Sequence, residues 1–237
     1  HRQTGAWIKH ASDAIMSSNE LYSTKKCAGQ QYDNNYTWWI NNILHDCQFG
    51  YAAESGNLAS YNTHFVLGNM FYNILSADQT NPHNYGAVKI RQNGTHYIIG
   101  NTFYDYDVAL SVPYNSRIYT FQNNLLGMRK TGITPPMIYS AAVGLNAAIE
   151  NNLFPATGFN VLWGSNNYSS LSSYQTNTNE CLINCKETDL PGMINPIDKN
   201  FTLQESSEAV NKGAANSVYD DFYTRYGISI AKDVSGI

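Results

Sequence analysis

Five stretches decide the fold: Ile40-Asn41-Asn42-Ile43-Leu44, Leu67-Gly68-Asn69-Met70-Phe71, Ile99-Gly100-Asn101-Thr102-Phe103, Gln122-Asn123-Asn124-Leu125-Leu126 and Glu150-Asn151-Asn152-Leu153-Phe154. In each, an Asn holds the middle place and two mostly apolar residues follow. The steps between these asparagines are 27, 32, 23 and 28 residues. Helical repeats keep nearly fixed lengths, so such uneven steps argue against them. They suit a coil whose short strands stay constant while its turns absorb insertions. Around the anchors the chain alternates or runs apolar for a few residues, as in Phe65-Val66-Leu67 and Tyr97-Ile98-Ile99, with Gly, Asn, Asp and Pro between.

The fold this predicts is all-β, a parallel solenoid of roughly seven to eight rungs stacked about 4.8 Å apart. An Asn at the same bend of every rung bonds its amide to the ones above and below, which offsets the cost of burying it. No rung buries its apolar face alone, so stacking is obligatory. A β-sandwich with asparagines in its turns is the alternative, disfavoured by the in-phase pattern.

Composition bounds the rest. The chain has 237 residues, 14 Lys and Arg against 18 Asp and Glu, and a net charge of -4. Charged residues are only 14%, and 29 Asn and 18 Tyr take their place. Without a basic cluster, nucleic acid is an unsuitable partner, and no apolar run is long enough to span a membrane. The chain begins at His1 without a signal segment and reads as a processed or excised piece. Cys27, Cys47, Cys181 and Cys185 form an even set, compatible with two disulfides and an extracellular or cell-surface location. Cys27 and Cys47 stand near one rung's length apart, so stacking brings them within bonding range. Cys181 and Cys185 pin a short excursion.

The rungs with Asn-Asn or Gly-Asn ahead of an apolar pair resemble right-handed parallel β-helix proteins of the pectate-lyase-like superfamily. A second match lies in Pro191-Gly192-Met193-Ile194-Asn195-Pro196, Asn200-Phe201-Thr202-Leu203 and Ser206-Ser207-Glu208-Ala209-Val210-Asn211-Lys212-Gly213. It is similar to the "DPxFvnP…dFxLxxgSPaidaG" segment that closes such helices in secreted bacterial proteins, with Glu208 in place of its Pro. The resemblance implies a right-handed β-helix over residues 1–190 and a closing segment over 191–237 packed on it, in a single domain. It fixes the fold far more than the chemistry, because the superfamily holds lyases, hydrolases and non-catalytic adhesins. Along the chain, residues 19–35 read as a polar loop, 165–180 as a long surface loop, and 217–226 as a helix with Val218, Phe222 and Tyr226 on one face.

On such a coil, chemistry sits in columns. Four residues past the ladder asparagines stand Asp46, Asn73 and Asp105, and Asp107 follows; these oxygens suit Ca2+, although Asp and Asn also favour turns. Lys89 and Arg91 share one face of a strand, and Arg117 lies a rung later. The resembling polysaccharide lyases use a base for the sugar C5 proton and a cation beside the carboxylate, roles commonly filled by Lys or Arg. Lys89 needs a pKa near neutrality for this, which Arg91 favours; the alternative is a solubilising cation pair. His64, Tyr85, Tyr104 and Tyr106 are candidate sugar contacts, the two last flanking Asp105 as an exposed aromatic strip. His45 and Asp46 are expected to point apart, as neighbours on a strand do. His83 and His96 complete the histidines of the coil.

The function expected is a polysaccharide lyase-like protein acting on an acidic glycan by β-elimination. The alternatives are a non-catalytic glycan-binding, adhesin or structural module of a larger assembly, and a glycoside hydrolase using Asp105, Asp107 or Glu54. Whether it is an enzyme is left open. The deciding observation is whether Lys89, Arg91, Asp105 and His64 meet in one Tyr-lined groove.

Overall fold

The computed structural model describes residues 4–54, 62–75, 85–115, 117–130, 135–189, 192–210 and 212–230. Its strands recur in threes. Rung one is Thr4–Lys9, Ile15–Ser17 and Glu20–Tyr22; rung two is Lys26–Gln31, Thr37–Ile40 and Ile43–Cys47; rung three is Phe49–Glu54, Thr63–Leu67 and Met70–Ile74. Rung four is Gly86–Ile90, Thr95–Ile99 and Thr102–Tyr106; rung five is Leu110–Val112, Ile118–Gln122 and Leu125–Leu126; rung six is Ile138–Ser140, Ala147–Glu150 and Leu153–Phe154. First strands pair in parallel with first strands, second with second and third with third, giving sheets one, two and three. A partial seventh turn adds Val161–Trp163 to sheet one and Lys186–Glu187 to sheet three. This is a parallel β-helix solenoid.

A backbone constraint at the start of sheet three shapes each rung. The residue before each ladder Asn is left-handed: Ser18, Asn41, Gly68, Gly100, Asn123 and Asn151 all have φ between 51° and 68°. Asn and Gly tolerate that region best, which explains their recurrence there. The turn throws the next Asn inward. Asn42, Asn69, Asn101, Asn124 and Asn152 are at most 2% exposed. Each of the first four gives its backbone N–H and its Nδ2 to the Oδ1 of the next, at 2.8–3.1 Å. The Nδ2 also reaches back to the preceding rung, as from Asn101 to the Val66 carbonyl at 2.9 Å. Every donor and acceptor of a central ladder amide is thereby used.

The interior is filled by files of like side chains. Trp39, Val66, Ile98, Phe121 and Ile149 stack in sheet two, and Leu44, Phe71, Phe103 and Leu126 in sheet three. The Phe71 and Phe103 rings lie parallel at 5.1 Å. Cys27–Cys47 and Cys181–Cys185 are disulfides, with Cα atoms 5.9 and 5.5 Å apart.

Residues 19–35 are not a polar loop. Ser17-Ser18-Asn19-Glu20-Leu21 is a sixth copy of the anchor, with Asn19 bonded to Asn42 at 3.0 Å, and two strands follow. Glu20 in an apolar place disguised it. Residues 165–180 hold an antiparallel strand, Asn166–Tyr168, and helix α1, Leu171–Thr178. Ser170 caps α1, and its Leu171 and Tyr174 close the end of the core against Trp163.

Beyond the coil, Met193–Asn195 pairs antiparallel with Asn200–Leu203, and α2 spans Ser217–Tyr226. Pro191 and Asn211 of the closing motif lie outside the described residues. The hairpin sets Met193 and Phe201 on Tyr72, Tyr104, Leu125 and Leu153 outside sheet three. Helix α2 sets Val218 and Phe222 on Trp38, Phe65, Leu67 and Ile99 outside sheet two. Between them Asn123 exchanges two hydrogen bonds with the Ala214 backbone, at 2.7 and 2.9 Å. The closing segment straddles one corner and leaves sheet one aside.

Replacing Asn101 by Ala takes the Oδ1 acceptor from the backbone N–H and Nδ2 of Asn69 and the Nδ2 donor from the Val66 carbonyl. It is expected to lower the unfolding free energy by about 3 kcal/mol or more, measured by urea denaturation. A loss below about 1 kcal/mol would show that the ladder fills space without holding the rungs.

Candidate functional site

Strand Gly86–Ile90 is apolar except at Lys89. Val88 and Ile90 are fully buried in the core, so Lys89 between them faces outward. Its column runs through Ala52, Gly29 and Trp7. The small residues clear a shallow floor; a side chain at Gly29 would run into the Trp7 ring. At the strand ends Glu54 stands beside Arg91, while Lys26 and Phe49 are paired at the strand starts.

These residues form one cluster around Glu54. Lys26 Nζ lies 3.0 Å and Lys89 Nζ 3.5 Å from its Oε1, and Arg91 Nη1 lies 3.5 Å from its Oε2. Burial opposes the charge on Glu54, yet Lys89, Lys26 and Arg91 outweigh it and hold its carboxyl below the usual range. Burial pushes Lys89 down to about 8 against the pull of Glu54, and Arg91 and Lys26 add to the fall. Aromatic rings frame the group. Lys89 Nζ sits 4.9 Å from the Phe49 ring, Phe49 stacks on Tyr85 at 5.2 Å, and Arg91 donates to the Tyr114 hydroxyl at 3.0 Å. Three cations about one carboxylate leave a net positive patch on sheet one.

The structure thus joins Lys89, Arg91 and Tyr85. Arg117 is adjacent but spent: it is 7% exposed, and its Nε donates to the Arg91 carbonyl at 2.8 Å. His64 is elsewhere, fully buried at the inner corner between sheets one and two, where its Nδ1 meets Thr37 Oγ1 at 2.8 Å. It cannot touch a polymer on the surface. Tyr104 is 9% exposed beneath Phe201, and Tyr106 is 0% exposed inside the core. Tyr104 and Tyr106 form no exposed aromatic strip, because Asp105 is left-handed at φ 50° and resets the alternation around it.

The same constraint accounts for the Asp46, Asn73 and Asp105 column. All three have φ of 50–54°, as does Ser23 one rung earlier. Asn73 Nδ2 donates to Asp46 Oδ1, and His45 Nδ1 lies 2.7 Å from Asp46 Oδ2. Both oxygens of Asp46 are therefore engaged by nitrogen groups. Asp107 is 2% exposed, its backbone carbonyl held by Arg129. Among the described residues no cluster of three His, Cys, Asp or Glu side chains suits a metal. Nor do Glu54, Asp105 and Asp107 form a hydrolytic pair: they stand in a cationic patch, a turn of sheet three and the interior.

Scanned against family models, curated proteins and solved structures, the chain matches none. Its own geometry carries the argument.

Sequence reasoning missed Lys26 and Phe49, because Lys26 lay in the supposed polar loop. It also separated His45 from Asp46, which the left-handed turn at Asp46 brings together. His45 lies between Asp46 and Glu20 Oε1, 3.1 Å from Nε2, and between the stacked rings of Tyr22 and Tyr72. His83 lies outside the described residues.

The buried pair His64 and His96, with rings 4.9 Å apart, carries a pH dependence. Burial pushes His96 down to about 4 although the Gln92 carbonyl pulls the other way, and burial with His96 nearby holds His64 well below its usual value. Unfolded histidine titrates near 6.5, so on acidification the unfolded chain takes up these protons first. The stability is fully present above about pH 6.5 and is lost as pH falls from there toward 4. For His96 alone the loss is about 3 kcal/mol. Urea unfolding at pH 7 and 4 should show it, and His96→Gln should shrink it; an equal drop in the variant would contradict this origin.

Proposed function

We propose that the protein is a secreted or surface-attached, carbohydrate-active β-helix protein of the pectate-lyase-like kind. It engages an acidic polysaccharide along the outer face of sheet one and cleaves it by β-elimination. The observation that supports this reading is Lys89, lowered to about 8 by burial, with Arg91 beside it in one cationic cluster. A carboxylate of the polymer meets Arg91, the more accessible cation at 32% side-chain exposure. That neutralisation favours loss of the adjacent C5 proton, since charge developing on the enolate-like intermediate is stabilised where it forms. Lys89 in its neutral form takes the proton, with a pKa near the working pH. Glu54 keeps the cations in place, and Tyr85 and Tyr114 offer ring faces to sugars. The two disulfides suit an oxidising, extracellular setting.

A second reading, non-catalytic recognition of the same polymer, is favoured by one observation: Lys89 is only 3% exposed and 3.5 Å from Glu54. The two part on one experiment. Alginate, pectate and glycosaminoglycans are offered to the protein, with Ca2+ or chelator, and the ultraviolet absorbance of the unsaturated uronate product is followed. β-Elimination predicts rising absorbance that Lys89→Ala abolishes and Arg91→Ala weakens by about tenfold or more. No absorbance and no new reducing ends, with binding retained, would establish recognition without cleavage. No binding to any polymer would overturn both.

A further inference from the structure

Three of the four tryptophans, Trp38, Trp39 and Trp163, are buried. Trp7, on strand Thr4–Lys9, is half-buried. Ala6 and Ile8 on either side of it pack on the core, so the indole between them stands on the outer face of sheet one. Its register partner in rung two is Gly29, and a Cβ there would run into Trp7 Cζ3 and lie 2.9 Å from Cε3. The ring therefore lies down across Gly29, one face against the backbone of rung two. A glycine inside a strand costs stability that an alanine would return. What it allows here is a flat indole.

That indole belongs to the cationic cluster. Lys26 Nζ is 5.0 Å from the centre of the Trp7 ring and 3.0 Å from Glu54 Oε1, the oxygen that Lys89 also faces. Along the column from Gly29 comes Ala52, too small to project, and then Lys89. Platform and Lys89 are thus two rungs apart, about 10 Å along the axis. A flat aromatic face beside a cation suits a uronate ring. The C–H groups of one sugar face pack on the indole, and the sugar's carboxylate meets the ammonium.

On the reading of sheet one as the face that engages an acidic polysaccharide, we propose that Trp7 is a distal sugar subsite of that same site. It takes the ring two residues along the chain from the uronate held at Arg91 and Lys89. A 1,4-linked pyranose advances by about one rung spacing, so a chain laid along the column crosses Ala52 and sets its third ring on the indole. Lys26 stands beside that ring to meet its carboxylate. The ligand is therefore a run of at least three uronates, and the site tells a polymer from a disaccharide.

Fluorescence anisotropy of end-labelled oligouronates of two to six sugars, read at short mixing times before any cleavage, tests this. With the unmodified protein, affinity should rise about tenfold between two sugars and four. The intrinsic tryptophan fluorescence should change with the longer chains and not with the disaccharide. Trp7→Ala should erase the step, so that four sugars bind no better than two, and Trp7→Tyr should restore part of it. Gly29→Ala, which lifts the ring without removing it, should erase the step as well. A step that survives Trp7→Ala and Gly29→Ala, or an equal loss at every chain length, overturns the subsite and leaves the sheet-one reading standing. No binding of any length by the unmodified protein overturns that reading and the subsite with it.

Discussion

The structure depends on one repeated bend. A left-handed residue ahead of each ladder Asn turns the chain from sheet two into sheet three and drops an amide into the corner, where it meets its counterparts above and below. A primary amide is suited to this place because it carries two donors and an acceptor with two lone pairs, enough to serve both neighbours at once. Aspartate lacks the donors and would gather charge in a column. Once the bend is fixed, the phase of both flanking strands is fixed, and with it which side chains face inward. The uneven rung lengths follow, because only the other connections are free to vary.

That constraint distributes the surface. The closing segment lies along that corner, hairpin on one side and α2 on the other, burying aromatic residues of sheets two and three that would otherwise be exposed. Sheet one keeps its outer face for Lys26, Glu54, Lys89 and Arg91. The charge is concentrated there against small residues, Ala52 and Gly29, so the cations are desolvated by their neighbours yet share one carboxylate. A lone buried lysine would be costly, and Glu54 offsets that cost while leaving the group positive overall.

Much of this was legible in the residues. The solenoid followed from the in-phase asparagines, α2 from Val218, Phe222 and Tyr226, and the Lys89–Arg91 face from alternation along a strand. The failures share a cause. In sequence Tyr104, Asp105 and Tyr106 form one continuous alternation, but a left-handed Asp105 sends the two tyrosines to different sides. The same turn at Asp46 joins His45 to it. Turn-forming Asp and Asn look like ligands when only their spacing is visible. His64 carried no signal of burial, since a histidine hydrogen-bonded to Thr37 inside the core reads in sequence like one on the surface. The third strand of rung one, Glu20–Tyr22, was hidden by the polarity of Glu20.

The central claim is that sheet one, and not the corner under the closing segment, is the working face. Nuclear magnetic resonance of isotope-labelled protein titrated with a short oligouronate tests it most directly. The account predicts shifts confined to Lys26, Phe49, Glu54, Lys89, Arg91 and Tyr114 and their strand neighbours. Shifts centred on Phe201, Ala214 or α2, with sheet one unmoved, would contradict it.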